Sequence, residues 1–298
     1  MDPKNLLSNS PLILGMATVF GLIAPQLGAP LAFLIVPALV VTMTFSLQGI
    51  SLNPKELGGD VKPGLIALAI NYGLLSGLII LLAFLMSPHH EIFDGLIIMA
   101  AIPAAIAVVP FTYLLKGDSA LSLVGEVIIY VASLGLAPLI AIAFIGADIS
   151  IYRLLEALVL LIIVPLALSQ AIRRCTACSQ FPFTRPLVTL SLGLVTYLII
   201  ALNQQAIFTE PGIVVPVIAI CFLRTFGSGL LAYFVWRKSP KKRVSYALFA
   251  SFKNEGVTAA VAIALVSPLA ALPAAFGSIL ELAFFIFLGR FLLNRASK

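Results

Sequence analysis

Lys253, Asn254 and Glu255 sit inside an otherwise apolar run, roughly residues 244–266, long enough to cross a bilayer. If that run spans as a helix, Lys253 is nine residues in, about 13 Å deep at a rise of about 1.5 Å per residue and close to the midplane. A Lys or Glu at that depth costs roughly 2.5–3.5 kcal/mol on insertion scales, so two of them need partners or a wet cavity. Residues i and i+2 face nearly opposite sides of an intact helix, so Lys253 and Glu255 cannot neutralise one another. Either the helix is interrupted, with Gly256 easing the interruption, or each charge meets a partner on another helix. Three further charges lie inside apolar runs. Glu126 is about 9 Å in from the end of its segment and too short to snorkel. Arg224 and Glu281 are mid-segment, and read either as a structural salt bridge or as part of an ion path. Asn71 and Thr258 suit either contact with a solute or hydrogen bonds that join membrane helices. The chemistry open to such a set is the binding and release of ions, protons or a small charged solute.

Composition sets the medium in which this chemistry happens. The 298 residues are 61% hydrophobic and 10% charged, with a mean hydropathy of +1.14, whereas a soluble domain carries about 25% charge. An integral membrane protein is expected, without a separate soluble domain and without a cleavable signal peptide. The net charge of +6 does not point to nucleic acid, because the basic residues collect at segment ends. Cys175 and Cys178 form a lone CxxC in a short loop, read as unpaired thiols or half a zinc site. His89 and His90 fit a solvated turn, Arg153 and Glu156 an interface, and Trp236 an interfacial anchor. No nucleotide-binding loop, Ser-His-Asp set or metal cluster is visible, so neither ATP hydrolysis nor a cofactor is expected. An intramembrane enzyme lacks a nucleophile and base at matching depths, and a sensor would need a signalling partner.

Ten apolar segments carry these residues: 11–27, 30–49, 65–86, 94–116, 120–147, 153–172, 186–203, 211–236, 244–266 and 269–292. With ten spans, fifteen of the eighteen Lys and Arg fall on the side that owns both termini, which the positive-inside rule makes cytoplasmic. A multi-pass protein of the cell (inner or plasma) membrane follows. Residues 112–133 resemble 264–285 in layout, a Gly/Pro-containing hinge followed by a helix of small residues. Five spans per half is an odd number, so repeats 11–147 and 153–292 would lie in opposite orientations, the plan of secondary transporters. The fourth and ninth segments then correspond. Pro103 and Pro110 each remove a backbone donor and clash with the preceding turn, predicting a second discontinuous helix that crosses the first. The expected fold is all-α, ten transmembrane helices in two inverted five-helix repeats.

Residues 112–122, TYLLKGDSALS, resemble a run of the bile acid:sodium symporter family (the bile/arsenite/riboflavin transporter superfamily). Phe45 to Leu52, Asn254-Glu255-Gly256 and Leu272 to Phe276 are similar to other family motifs, so the resemblance covers about residues 30 to 290. It implies a panel (11–50 and 153–203) that rocks against a core (65–147 and 211–292). It also implies that crossed spans 4 and 9 hold the substrate, near Pro110, Thr112, Asn254, Gly256, Thr258 and Asn71. Against the family pattern, Lys253 stands at a sodium-ligating Gln, Phe249 at a Glu, Val108-Val109 at a Ser-Asn pair and Glu126 at a Thr. An oxygen cage for a hard cation would thereby lose oxygens and gain an ammonium, with Glu126 or Glu255 as counter-charge. Burial can move the proton affinity of a Lys or Glu by several units. The expected function is therefore a secondary transporter of a small organic anion by alternating access, proton-coupled or uncoupled, with Lys253, Glu255 and Glu126 as ion-coupling residues. The alternatives are a sodium-dependent symporter of bile-acid-like or other organic anions, and an efflux permease of the arsenite or auxin type. Glu255 matches a Glu of arsenite permeases, but the fourth segment lacks their thiol near Ala104. Membrane lipid is the surrounding partner, and no nucleic-acid partner or resident metal is expected.

Overall fold

The computed structural model describes residues 10–49, 61–146, 150–174 and 184–293, and these residues form helices joined by short turns. In chain order they are α1 (Ser10–Ile23), α2 (Pro25–Ser46), α3 (Val61–Met86), α4 (His90–Ala101), α5 (Val108–Leu114), α6 (Ser119–Phe144), α7 (Tyr152–Arg174), α8 (Thr184–Thr209), α9 (Pro211–Val235), α10 (Pro240–Phe249), α11 (Glu255–Leu265) and α12 (Leu269–Arg290). Seven of them, α2, α3, α6, α7, α8, α9 and α12, are long and apolar enough to cross a membrane. The other three predicted segments hold shorter pieces: α1, the pair α4 and α5, and the pair α10 and α11. Lys4, Lys55, Cys175, Cys178, Arg295 and Lys298 lie outside the described residues.

Both interruptions have local causes. Ile102 precedes Pro103 and takes extended angles (φ −70°, ψ 146°), as the proline ring forces on its predecessor; α4 ends there. Pro110 behaves otherwise than predicted. It is the third residue of α5, where an amide would have no intrahelical partner, so it opens a helix instead of breaking one. In the ninth segment α10 ends at Phe249, and Asn254 restarts the helix by accepting the Val257 amide at 3.2 Å on its side chain. Gly256 is not part of this break. It is helical, in the first turn of α11, and a Cβ there would come within 2.5 Å of Leu39 on α2. Its lack of a side chain serves a close approach of helices.

Helices α1, α2, α7 and α8 pack on one another, while α3 packs on α6 and α4, α9 on α10 and α12, and α11 on α4 and α12. An apolar cluster joins the two groups, with Leu39 and Leu198 on one side and Val257 and Ala271 on the other. Wide π-helical turns occur in α3 at Ala69–Ser76, in α7 at Val159–Ile163, in α9 at Leu223–Gly227 and at the end of α12 at Leu288–Leu293. Such turns recur at functional sites, and those in α3 and α9 bear Asn71 and Arg224.

The cap at Asn254 is separable from the rest. Asn254→Ala is expected to lower stability by about 1 kcal/mol from the lost cap alone, and Asn254→Asp to lose less because it still accepts the Val257 amide. Thermal unfolding in detergent measures both.

Candidate functional site

A broken helix leaves backbone carbonyls without partners, and lipid offers no water to replace them. Here polar side chains from neighbouring helices fill that need. In the α4 break, Ala101 O accepts from the Tyr72 hydroxyl at 3.0 Å. Ala100 O accepts from the Ser76 hydroxyl at 2.6 Å. In the α10 break, Phe249 O and Phe252 O both accept from the Asn71 amide, at 2.9 and 3.3 Å. Ser228 donates to Ala250 O, and Arg224 Nη1 reaches Ser251 O at 3.2 Å. The two breaks also touch directly, because the Asn254 N–H donates to Pro103 O at 3.0 Å.

Lys253 occupies the middle of this crossing and is wholly buried. Its Nζ lies 3.1 Å from Asn71 Oδ1, 2.8 Å from Ser76 Oγ, 3.1 Å from Ala100 O and 2.8 Å from Ile102 O. The Tyr72 ring centroid is 4.5 Å away, a cation–π distance. Three ammonium hydrogens thus face four neutral oxygens, two of them carbonyls at the C-terminal, partially negative end of α4. The expected counter-charge does not appear. Among the described residues neither Glu126 nor Glu255 pairs with this amine, because Glu255 is taken by Arg224 and Glu126 makes no such contact.

The carboxylates are arranged around Arg224 instead. Arg224, also wholly buried, donates Nη2 to Glu255 Oε1 and Nη1 to Glu281 Oε1, the latter at 2.7 Å. Glu281 Oε1 also accepts the backbone N–H of Lys253 at 2.8 Å. Arg224, Glu255 and Glu281 therefore lock α9, α11 and α12 together beside the α10 break. Gly277 makes the room: a Cβ there would collide with the guanidinium and with the Glu255 carboxylate.

Glu126 differs from all of these. It is 1% exposed on α6, and neither carboxylate oxygen has a hydrogen-bond partner among the described residues. One turn along, the Tyr130 hydroxyl accepts from Asn254 Nδ2 at 3.1 Å, and the same amide reaches Met43 Sδ of α2 at 3.4 Å. Of the other predicted residues, Thr258 donates to Asn254 O at 2.9 Å, Thr112 bonds Ser122 at 2.9 Å, and Pro110 is exposed. The structure thus brings Lys253, Asn254, Glu255, Gly256, Thr258 and Asn71 to the crossing, and commits Asn71 and Thr258 to internal bonds. Thr112 is bonded to α6.

A scan against family models matches residues 10–287 to the SBF-like CPA transporter family. The chain belongs to that family. No curated protein matches it. Membership and the apolar spans together make it a multi-pass membrane protein of a transporter family.

Sequence reading missed Ser76, Tyr72, Ser228 and Gly277. Ser76 follows Asn71 by five residues, a spacing that a regular helix turns to different faces. Only the π-helical turn brings them to one side. Gly277 carries no sequence signal beyond its position four residues before Glu281.

Removing one member of a buried ion set strands the others. Arg224→Leu is expected to destabilise by about 3–5 kcal/mol, and the triple change Arg224→Leu, Glu255→Leu, Glu281→Leu by less than the sum of the single losses. Gly277→Val should match the cost of Arg224→Leu. Thermal melting of purified protein in detergent compares them.

Proposed function

We propose that this chain is a secondary carrier that moves a small organic anion by alternating access, with protons as the coupling ion. The observation that carries the proposal is the contact of two interrupted helices, Asn254 N–H to Pro103 O at 3.0 Å, in a member of a transporter family. Interrupted helices tolerate a site at mid-membrane because their loose backbone is buried in protein. The two halves support an inverted repeat of five spans each. The end of a half-helix, a turn and a long helix recur as α5–α6 and α11–α12. In this reading the α1, α2, α7 and α8 group moves against the rest, and its Leu39 and Met43 cover the crossing. Both termini face the cytoplasm of a cell membrane.

Charge around the crossing supports proton coupling. Lys253 and Arg224 contribute two positive charges, and Glu255 and Glu281 two negative ones, so the set balances without Glu126. The Lys253 ammonium fills a ring of four oxygens, where a mobile monovalent cation would otherwise find its ligands. Sodium coupling is disfavoured for that reason. An ionised Glu126 adds an unbalanced negative charge that repels an incoming carboxylate, and a protonated Glu126 removes it. Proton and anion then enter together. The N-terminus of α11 is already capped by Asn254 and faced by Glu255, so relief of repulsion at Glu126 does the work that a bare helix end would do.

Purified protein in liposomes with a trapped pH-sensitive dye tests this, with a series of mono- and dicarboxylates and sulfonated sterols supplied outside. At least one anion is expected to drive proton entry, unaffected by sodium, and Glu126→Gln to abolish it. Sodium-driven uptake that survives Lys253→Ala unchanged would end the proton reading.

A further inference from the structure

Trp236 closes one end of an apolar groove between α3 and α9, on the outer surface and away from the Lys253 amine. The groove has a volume of about 320 Å³ and is lined by Ile66, Ala69 and Leu74 from α3, by Leu231 and Val235 from α9, and by Trp236 just past its end. Ala69, Leu231 and Val235 are exposed on the outer surface of the helix bundle. The small side chain of Ala69 leaves the groove open where its neighbours are large. Basic residues crowd the same end. The tight turn after Trp236 bears exposed Arg237 and Lys238, then Lys241, Lys242 and Arg243 within the next five residues, with no acidic residue among them. Trp236, the one aromatic residue among those lining the groove, is backed by the buried Tyr246 ring at 4.6 Å.

We infer that the groove is a site for one membrane phospholipid with an anionic headgroup, its acyl chain along α3 and α9 and its phosphate at Arg237 and Lys238. The apolar length suits a hydrocarbon chain, and basic clusters next to a span attract anionic lipid. A topology signal alone, which also places Lys and Arg at span ends, requires no apolar groove beside them. The lipid would touch the helix at the working site. Ala69 and Leu74 belong to the same π-helical turn as Asn71, whose amide holds the α10 break and whose oxygen receives Lys253. An occupied groove supports that turn, and an empty one leaves it facing disordered lipid.

The inference does not rest on the transport reading, and its test does not use transport. Full-length protein in detergent receives equal amounts of phosphatidylglycerol and phosphatidylcholine, and native mass spectrometry counts the lipid retained. Phosphatidylglycerol is expected to dominate, and Arg237→Gln and Lys238→Gln each to reduce that preference about fivefold, as expected for loss of one basic residue near an anionic surface. Ala69→Phe should expel lipid of either headgroup, with Leu231→Trp as a second filling variant should the first fail to fold. Glycerol 1-phosphate, a headgroup without chains, should not compete. Equal retention of the two lipids by the unaltered protein overturns the inference. So does full retention by both filling variants, or competition by glycerol 1-phosphate, which would mark a plain phosphate site.

Discussion

Everything at the centre of this protein follows from the need to satisfy backbone carbonyls where two helices are interrupted in a waterless medium. Ala100, Ala101, Ile102, Phe249, Ala250, Ser251 and Phe252 each present an oxygen that a continuous helix would have bonded or stacked away. Tyr72, Ser76, Asn71, Ser228, Arg224 and the Lys253 amine are the donors that meet them. The polar residues of the crossing are thus first of all the substitute for a missing helical ladder. Any function they have is built on that duty.

The same requirement explains how charge is tolerated there. The Lys253 ammonium is held by neutral oxygens and an aromatic face, with no carboxylate paired to it among the described residues, while Arg224 takes two carboxylates. Lys253 and Arg224 join through Glu281, which accepts from the Arg224 side chain and from the Lys253 backbone. The two breaks are thereby linked by a short chain of hydrogen bonds, from Arg224 through Glu281 to Lys253 and on to Ala100 O and Ile102 O. Glu126 stands outside this network, its carboxylate without a hydrogen-bond partner among the described residues.

The π-helical turns are what let α3 and α9 contribute. An extra residue per turn shifts the register, so Asn71 and Ser76 both face the Lys253 amine although they are five positions apart. The widened turn in α9 likewise brings Arg224 against the Ser251 carbonyl. Small residues complete the fit, since Gly277 admits the guanidinium and Gly256 admits Leu39.

Much of this was legible in the residues alone. Long apolar runs announce spans because lipid demands them, a Lys and a Glu at mid-depth announce an interruption, and a proline forces its predecessor out of the helix at Ile102. These are local or compositional constraints, and a single stretch of chain carries them. The partners of Lys253, the split of roles between Glu255 and Glu126, the harmless position of Pro110 and the true purpose of Gly256 were not legible. Each depends on which helix lies opposite and at what rotation, and a one-residue π-helical shift in α3 changes that rotation without a mark in the hydrophobic pattern. The sequence by itself determined that charges must be buried among broken helices; the tertiary structure decided which oxygens receive them, because hydrogen-bond partners 150 or more residues apart are chosen by packing.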